Sequence, residues 1–250
     1  MTACALQTRG LGLDYGAFTA VGAVDLQVMP KTLHALIGPN GAGKTSFFNL
    51  ISGRYAATRG AVELDGVDIT KMPARSRIRH GMARSFQITS LFLERTVREN
   101  LELAALGCKA PPLLRFWTDW STEARRLDGI DGVLQELELA KLADRPVHVL
   151  SHGQQRLVEI GMCLVAQPHV LLLDEPLAGL GLADIPRVAE LLMRLKSHYT
   201  VLLVEHNMRV VMKVSDRVTV MFQGQVIAEG PPAAIREDAE VRRVYLGSQA

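Results

Sequence analysis

The sequence has little cysteine and little excess charge, and each shortage argues against a class of protein. The three cysteines, Cys4, Cys108 and Cys163, are an odd number without paired spacing. They favour a reducing compartment over a disulfide framework or a zinc site. Lysine and arginine number 28 against 26 aspartates and glutamates, so no charge excess marks a dedicated nucleic-acid binder.

Long apolar runs are missing as well. No stretch approaches the roughly 18 consecutive apolar residues of a transmembrane helix. The N-terminus MTACALQTRG lacks a basic start followed by an apolar core, which predicts a chain that is not exported. We therefore expect a cytoplasmic chain that does not span a membrane by itself. Its 48% hydrophobic content is enough for one full core.

Short β-type runs alternate with helical patterns along the chain. Four buried strands are predicted, at residues 33–37, 170–173, 200–204 and 218–222. Alternation with helices predicts a mainly parallel sheet covered by helices. The opening section and GAVELDGVDIT, residues 60–70, predict an antiparallel side sheet. Residues 88–150 predict a helical lobe, with helices at 96–106 and 130–142.

The most specific local motif is GPNGAGKT, residues 38–45, between a predicted strand and a predicted helix. Backbone N–H groups of residues 41–44 can surround a phosphate only where little side chain intervenes, and the following helix adds its positive end. Lys44 adds a charge for the β and γ phosphates, and the Thr45 hydroxyl can bind Mg²⁺. The candidate nucleotide-binding residues here are Gly38, Asn40, Gly41, Ala42, Gly43, Lys44, Thr45 and Ser46.

A second motif, VLLLDEP at residues 170–176, brings a strand to the edge of the sheet. Asp174 then lies where it can hold Mg²⁺ through water. Glu175 can polarise an attacking water, which indicates hydrolysis rather than transfer to an acceptor. The alternative for this pair is a solvated acidic dipeptide at a strand end.

A third motif, LSHGQQR at residues 150–156, precedes a helical pattern. Serine and glycine at the start of a helix form another phosphate-binding end, yet one chain has only one γ phosphate in its own loop. A second anion site therefore suggests a second subunit. The alternative is that Ser151 is an ordinary helix N-cap.

The ordered motifs GPNGAGKT, SFQ (85–87), LSHGQQR, VLLLDEP and VEH (204–206) resemble the ATP-binding subunit of an ABC transporter over nearly the whole chain. The resemblance implies an α/β P-loop NTPase with a RecA-like, mainly parallel sheet core, an antiparallel β subdomain and an inserted helical subdomain. Three parts are expected: a nucleotide-binding core with the β subdomain at 1–87 and 155–225, a helical subdomain at 88–154, and a C-terminal extension at 226–250.

The resemblance also implies a head-to-tail dimer in which the phosphate loop of one subunit and the LSHGQ segment of the other enclose each ATP. The ATP contacts of that segment would be Ser151, Gly153 and Gln154. Tyr15 would stack on adenine, although packing against the core is the alternative. The expected catalytic residues are Lys44, Glu175 and His206, and the expected Mg²⁺ ligands are Thr45, Gln87 and Asp174.

Two positions depart from the family pattern. His152 replaces the usual second glycine of the signature, which is tolerable if its side chain points away from the phosphate. Gly181 stands where an aspartate commonly contacts the partner subunit. The missing carboxylate predicts that the second ATPase subunit is a different chain.

The segment at residues 204–230 and the ending VRRVYLG, residues 241–247, resemble ATPase subunits of bacterial importers for branched-chain amino acids and related amides or urea. This implies two transmembrane permease subunits, a solute-binding protein and a place on the cytoplasmic face of the inner membrane. The alternatives are an ABC-type ATPase of DNA repair or translation, and a P-loop kinase. The span 88–150 is too short for the coiled-coil insertion of a repair ATPase.

Overall fold

In the computed structural model, which describes residues 4–85, 91–109 and 129–247, the strands form two sheets of different character. The strands are β1 (Leu6–Tyr15), β2 (Phe18–Val28), β3 (Leu33–Ile37), β4 (Arg59–Leu64), β5 (Val67–Asp68), β6 (Met82–Arg84), β7 (Val170–Asp174), β8 (Thr200–Val204), β9 (Arg217–Phe222) and β10 (Gln225–Gly230). The larger sheet has the order β10-β9-β3-β8-β7-β6 and the smaller one β2-β1-β4-β5.

The larger sheet is parallel except at one edge. Strands β9, β3, β8, β7 and β6 pair in parallel, and β10 returns antiparallel to β9 through a tight turn. Every residue of β3, β7 and β8 is buried, as expected for strands covered on both faces. The predicted parallel core is confirmed, and the carboxyl ends of these three strands meet at one edge.

The smaller sheet is antiparallel throughout, as predicted for the opening section and residues 60–70. Its β1–β2 hairpin turns at Gly16, whose φ is 60°. The apolar face of this sheet packs on the first helix: Leu6, Leu11 and Val28 share a buried cluster with Phe47. That packing fixes the hairpin beside the end of β3.

Helices cover both sheets and form most of the described part of the middle section. They are α1 (Lys44–Ile51), α2 (Ala74–Arg79), α3 (Val97–Lys109), α4 (Ile130–Glu136), α5 (His152–Leu164), α6 (Ile185–His198), α7 (Met208–Val214), α8 (Pro232–Glu237) and α9 (Ala239–Gly247). Short 3-10 turns lie at Ala140–Leu142 and Val147–Val149. Helices α3, α4 and α5 bury apolar side chains in one cluster with β7 and β8.

One predicted helix is shorter in the structure. The helix expected over residues 130–142 ends at Glu136, and a separate turn follows at Ala140–Leu142. The break lies at Glu138, whose left-handed φ of 58° lets Leu137 and Leu139 on either side both be buried. A continuous helix would point two side chains at this spacing in different directions.

Candidate functional site

Strand β3 leads directly into the glycine-rich loop and then into α1. Gly38 and Gly43 have φ angles of 152° and 96°. A Cβ at Gly38 would lie 2.2 Å from the carbonyl oxygen of Met221. One at Gly43 would lie 2.8 Å from the carbonyl oxygen of Ala20. The backbones of the neighbouring strands β9 and β2 therefore lie too close to the loop for any residue with a Cβ at these two positions, which requires glycine there.

Lys44, the first residue of α1, is buried beneath this loop. Its Nζ donates to the carbonyl oxygens of Gly38 at 2.8 Å and Pro39 at 3.0 Å. Burial lowers the pKa of Lys44, and the nearby carboxylates of Glu175 and Asp174 act in the opposite sense. The ammonium thus lies inside the loop and near both acids of the second motif.

The rest of the predicted loop residues lie in the same turn with different exposure. Asn40, Gly41 and Thr45 are exposed, Ser46 is half-buried and Ala42 is buried. Helix α1 has no side-chain cap at its start. Its first N–H groups therefore lie beside exposed loop residues and can face a phosphate.

Two exposed aromatic side chains lie at the tip of the β1–β2 hairpin. Tyr15 is 55% exposed and Phe18 67% exposed, and the two are paired across the hairpin. Tyr15 is therefore not packed in the core, and its contact with adenine stays a prediction. The carbonyl oxygen of Ala20, two residues beyond Phe18, lies 2.8 Å from where a Cβ on Gly43 would stand.

Asp174 ends β7 with its side chain fully buried. Its Oδ2 accepts from Arg84 Nη2 at 3.0 Å, and its backbone N–H donates to the Ser85 hydroxyl at 3.1 Å. Arg84 also donates to Oδ1 of Asn49 in the last turn of α1 and to Oγ of Ser52, which follows that helix, each at 2.6 Å. Burial raises the pKa of Asp174, and the Arg84 guanidinium opposes that rise. Arg84 therefore joins the carboxyl-terminal end of α1 to the carboxylate of Asp174.

The metal expected from the sequence can be tested on the carboxylate of Asp174. Its Oδ1 is buried without a hydrogen-bond partner among the described residues. Across 4–85, 91–109 and 129–247, no group of three His, Cys, Asp or Glu side chains could enclose a metal ion. One carboxylate oxygen without a protein partner suits Mg²⁺, which binds few protein ligands and keeps water or phosphate oxygens.

Glu175 follows in a left-handed conformation, with φ of 48°. Its backbone N–H donates to the carbonyl oxygen of Val204, and its Oε1 lies 2.5 Å from Nε2 of His206. The solvated-dipeptide alternative fails for both acids, because Asp174 is buried and Glu175 is bonded. The ends of β7 and β8 thus bring together two predicted catalytic side chains.

Glu205 is a buried residue of this edge that the sequence reasoning missed. Its Oε1 accepts from the backbone N–H of Leu177 at 2.8 Å, and its Oε2 from those of His206 at 2.8 Å and Asn207 at 3.1 Å. One carboxylate therefore fixes both loops that carry the Glu175–His206 pair. Only its position inside the VEH motif could have indicated it.

Helix α5 begins in the LSHGQ segment. Ser151 is its N-cap: its Oγ accepts from the backbone N–H of Gln154 at 3.3 Å, and Gln154 Oε1 accepts from the Ser151 N–H at 3.0 Å. Ser151 and His152 are exposed, and Gly153 is buried. The N-cap predicted as the alternative is present, and its exposure leaves it available to a second molecule.

The loop containing Gly181 does carry a carboxylate, three residues further along the chain. Asp184 donates its backbone N–H to the Gly181 carbonyl oxygen at 2.9 Å. A Cβ built on Gly153 would lie 2.7 Å from the carboxyl carbon of Asp184. The acidic group is therefore displaced towards the start of α5.

One predicted Mg²⁺ ligand, Gln87, lies outside the described residues, so its contact with the metal stays a prediction.

The helices of the described segments were also compared with the length of a membrane span. None of them is long and apolar enough to cross a membrane.

Residues 21–178 match the protein family described as ABC transporter, which is more than half of the chain. The chain belongs to this family. Residues 225–250 match a second family, described as Branched-chain amino acid ATP-binding cassette transporter. The fold and ordered motifs described above are therefore those of an ABC ATPase, and the expected family is confirmed.

Relatives and solved structures agree with this assignment. The high-affinity branched-chain amino acid transport ATP-binding proteins BraF of Pseudomonas aeruginosa and LivG of Escherichia coli are each 38% identical, covering 97% of this chain and 97% of the relative. An ATP-binding cassette of an ABC transporter in its ADP conformation has a TM-score of 0.87 at 33% identity, covering 98% of this chain and 100% of that one. A nucleotide-free ATP-binding cassette has a TM-score of 0.86 at 32% identity, covering 97% and 98%.

Proposed function

We propose that this ABC ATPase hydrolyses ATP to drive import of branched-chain amino acids through separate membrane subunits. The observation that supports ATP hydrolysis is the 2.5 Å distance between Glu175 Oε1 and His206 Nε2. The two side chains lie at the same edge of the sheet as the glycine loop. The substrate part is supported by the match of residues 225–250 and by the names of BraF and LivG. Related small polar solutes such as amides or urea are the nearest alternatives.

In this proposal Glu175 is the general base. Its carboxylate accepts the proton of the attacking water while His206 keeps that carboxylate oriented and contacts the γ phosphate. Lys44 exchanges its bonds with Gly38 and Pro39 for bonds with the β and γ phosphates. The exposed N–H groups at the start of α1 bind the same phosphates. Tyr15, with Phe18 beside it, offers a face for adenine.

Mg²⁺ would be held by the free Oδ1 of Asp174 and the hydroxyl of Thr45, with Gln87 as a further ligand. When bound, it supplies positive charge that offsets the developing charge on the phosphate oxygens. Arg84 holds Asp174 in place from the opposite side and keeps its other oxygen occupied.

The working unit in this proposal is a dimer of ATPase subunits on the cytoplasmic face of the inner membrane, bound to two permease subunits that receive solute from a binding protein. Ser151, Gly153 and Gln154 contact the ATP held by the partner. We propose a non-identical partner, although Asp184 provides a carboxylate beside Gly181 and weakens that argument. We also propose the core at 1–87 and 155–225, the helical subdomain at 88–154 and the extension at 226–250.

The catalytic proposal is tested by Glu175→Gln in the complete complex, with Glu190→Gln on the exposed face of α6 as the matched control. Free phosphate release should fall by roughly 10² to 10⁴-fold, because the base is lost. MgATP should still bind, because the loop is unchanged. Near-normal turnover of Glu175→Gln, or an equal loss in Glu190→Gln, would contradict the proposal.

The dimer is tested by mixing two inactive variants. If this chain also assembles with itself, Ser151→Arg chains mixed with Lys44→Ala chains should regain part of the phosphate release, since one composite site is then intact. Heterodimers are verified by two affinity tags. Tagged heterodimers without any recovered activity would contradict the placement of Ser151 at the partner's ATP.

The solute is tested in proteoliposomes that contain the whole importer. ATP-driven uptake of labelled leucine should exceed that of urea, and Glu175→Gln should abolish both. Preference for urea would replace the substrate part of the proposal and leave the ATPase part standing.

A further inference from the structure

The guanidinium of Arg156 binds the chain at the carboxyl end of β7. Its Nη2 donates to the carbonyl oxygens of Asp174 and Glu175, both at 2.8 Å. Its Nε donates to the carbonyl oxygen of Pro176 at 3.2 Å. Arg156 lies in the second turn of α5, the helix that begins in the LSHGQ segment. One side chain therefore joins this helix to three consecutive carbonyl groups around Glu175, the proposed base. Hydrogen bonds from a guanidinium are charge-assisted and have a fixed fork geometry.

These carbonyls belong to a stretch that leaves regular strand geometry. Glu175 has a left-handed φ of 48°, which non-glycine residues adopt only when their surroundings hold them there. Its N–H is fixed on one side by the Val204 carbonyl oxygen. Arg156 fixes the carbonyl side. The conformation that brings the Glu175 carboxylate to His206 is therefore held from two directions.

Arg156 is itself anchored. Its Nη1 contacts Oε2 of Glu159, one turn further along α5, and the side chains of Arg156 and Glu159 are only 12% and 7% exposed. Burial raises the pKa of Glu159, and the guanidinium opposes that rise. A buried ion pair of this kind restricts the guanidinium to one orientation.

We infer that Arg156 is a positioning residue for ATP hydrolysis: it holds the backbone of Glu175 so that the carboxylate stays at His206, and Glu159 orients it. The inference rests on the proposed function of Glu175 as the base. It also makes α5 a direct link between the LSHGQ end of the helix and the base of the same chain.

The experiment compares Arg156→Gln and Arg156→Lys, each with intact Glu175 and with Glu175→Gln, in the complete complex. Arg156→Gln should lower kcat by roughly 10² -fold, the scale of a small misplacement of a catalytic group. Neither KM nor the Kd for MgATP should change by more than about 3-fold, since the phosphate loop is intact. Arg156→Lys keeps the charge but not the fork and should recover part of kcat.

The decisive measurement is kcat of the Arg156 variants in the Glu175→Gln background. With Glu175→Gln, replacing Arg156 should cause no further loss of kcat, because the group it positions is already gone. Arg98→Gln removes an exposed ion pair between Arg98 of α3 and Asp131 of α4, and should leave kcat unchanged.

Three results would overturn the inference. The first is an undiminished loss of kcat on replacing Arg156 in the Glu175→Gln background. The second is a normal kcat in folded Arg156→Lys and Arg156→Gln. The third is a loss of ATP affinity that accounts for the whole effect. Full turnover of Glu175→Gln alone would instead refute the assignment of the base, so the two failures are distinguishable.

Discussion

The starts of α1 and α5 are both phosphate-binding motifs, yet they are built in opposite ways. Helix α1 begins without a side-chain cap after Gly43, and its first residue, Lys44, is buried and bonded to its own loop. Helix α5 begins with a complete capping box between Ser151 and Gln154, and Ser151 is exposed. The N–H groups at the start of α1 are left without a side-chain cap, and charged side chains lie near them. The N–H groups at the start of α5 are capped by its own residues, and this end is exposed on the surface.

The difference shows how binding and assembly can be divided within one chain. The α1 end has its lysine and two carboxylates nearby, so we expect it to bind nucleotide in an isolated chain. At the α5 end the capping serine already stabilises the helix without a ligand. We therefore expect that end to contribute only when a partner's nucleotide reaches it. Four measurements can break or sharpen this contrast.

The largest expected effect is at the α1 end. Lys44→Ala should weaken MgATP binding to the isolated chain on the order of 10² to 10³-fold, because charged hydrogen bonds to two phosphates are lost. Ser151→Ala should leave that affinity unchanged. Isothermal titration calorimetry measures both, with the exposed Lys141→Ala as control. Equal affinity of Lys44→Ala and the parent would contradict the contrast.

The next largest effect is expected at Arg84, which joins the carboxyl-terminal end of α1 to Asp174, the carboxylate near Lys44. Arg84→Met leaves the Asp174 carboxylate buried without its partner, and should destabilise the fold by about 3 kcal/mol. The matched control is Arg95→Met, which breaks an exposed ion pair with Glu99 and should leave stability nearly unchanged. Urea unfolding compares the two. Equal losses would mean that Arg84 is not a central support.

A smaller effect is expected on the pH dependence of stability, through His34 in strand β3, the strand that leads to α1. Burial lowers the pKa of His34 from 6.5 to about 4, with Glu229 opposing and Arg217 adding to the shift. Its Nε2 lies 2.7 Å from the Thr219 hydroxyl. The unfolded chain therefore binds a proton below pH 6.5 that the folded chain does not, so stability falls as pH drops from 6.5 towards 4.

Between pH 7 and pH 5 this group should remove about 2 kcal/mol of stability. Urea unfolding at both values measures the loss, and His34→Gln, which cannot titrate, should show a loss smaller by that amount. An identical pH dependence of parent and variant would refute the assignment to His34.

The smallest effect is at the α5 end itself. Ser151→Ala removes the N-cap and should destabilise the isolated chain by about 1 kcal/mol. The neighbouring exposed His152→Ala should change stability by less than about 0.5 kcal/mol. Both are measured by urea unfolding. A loss from Ser151→Ala as large as that from Arg84→Met would erase the contrast in stability between the two ends.

The sequence predicted the central strands and the glycine loop well, because apolar runs bounded by glycine and followed by a helical pattern are local signals. It missed β6, since three residues ending in Arg84 give no periodic pattern. It also missed the contacts of Arg84, Arg156 and Glu205. Their partners lie up to 90 residues away in the chain, as Asp174 does from Arg84, so only the folded arrangement reveals them.

Gly153 also constrains the side chain of Asp184. The space where a side chain at position 153 would begin is taken by the carboxyl group at position 184, 2.7 Å away. Because that carboxyl group is the far end of a flexible side chain, a side chain at position 153 would require it to rotate away from α5. The glycine therefore determines where the carboxylate beside Gly181 can point.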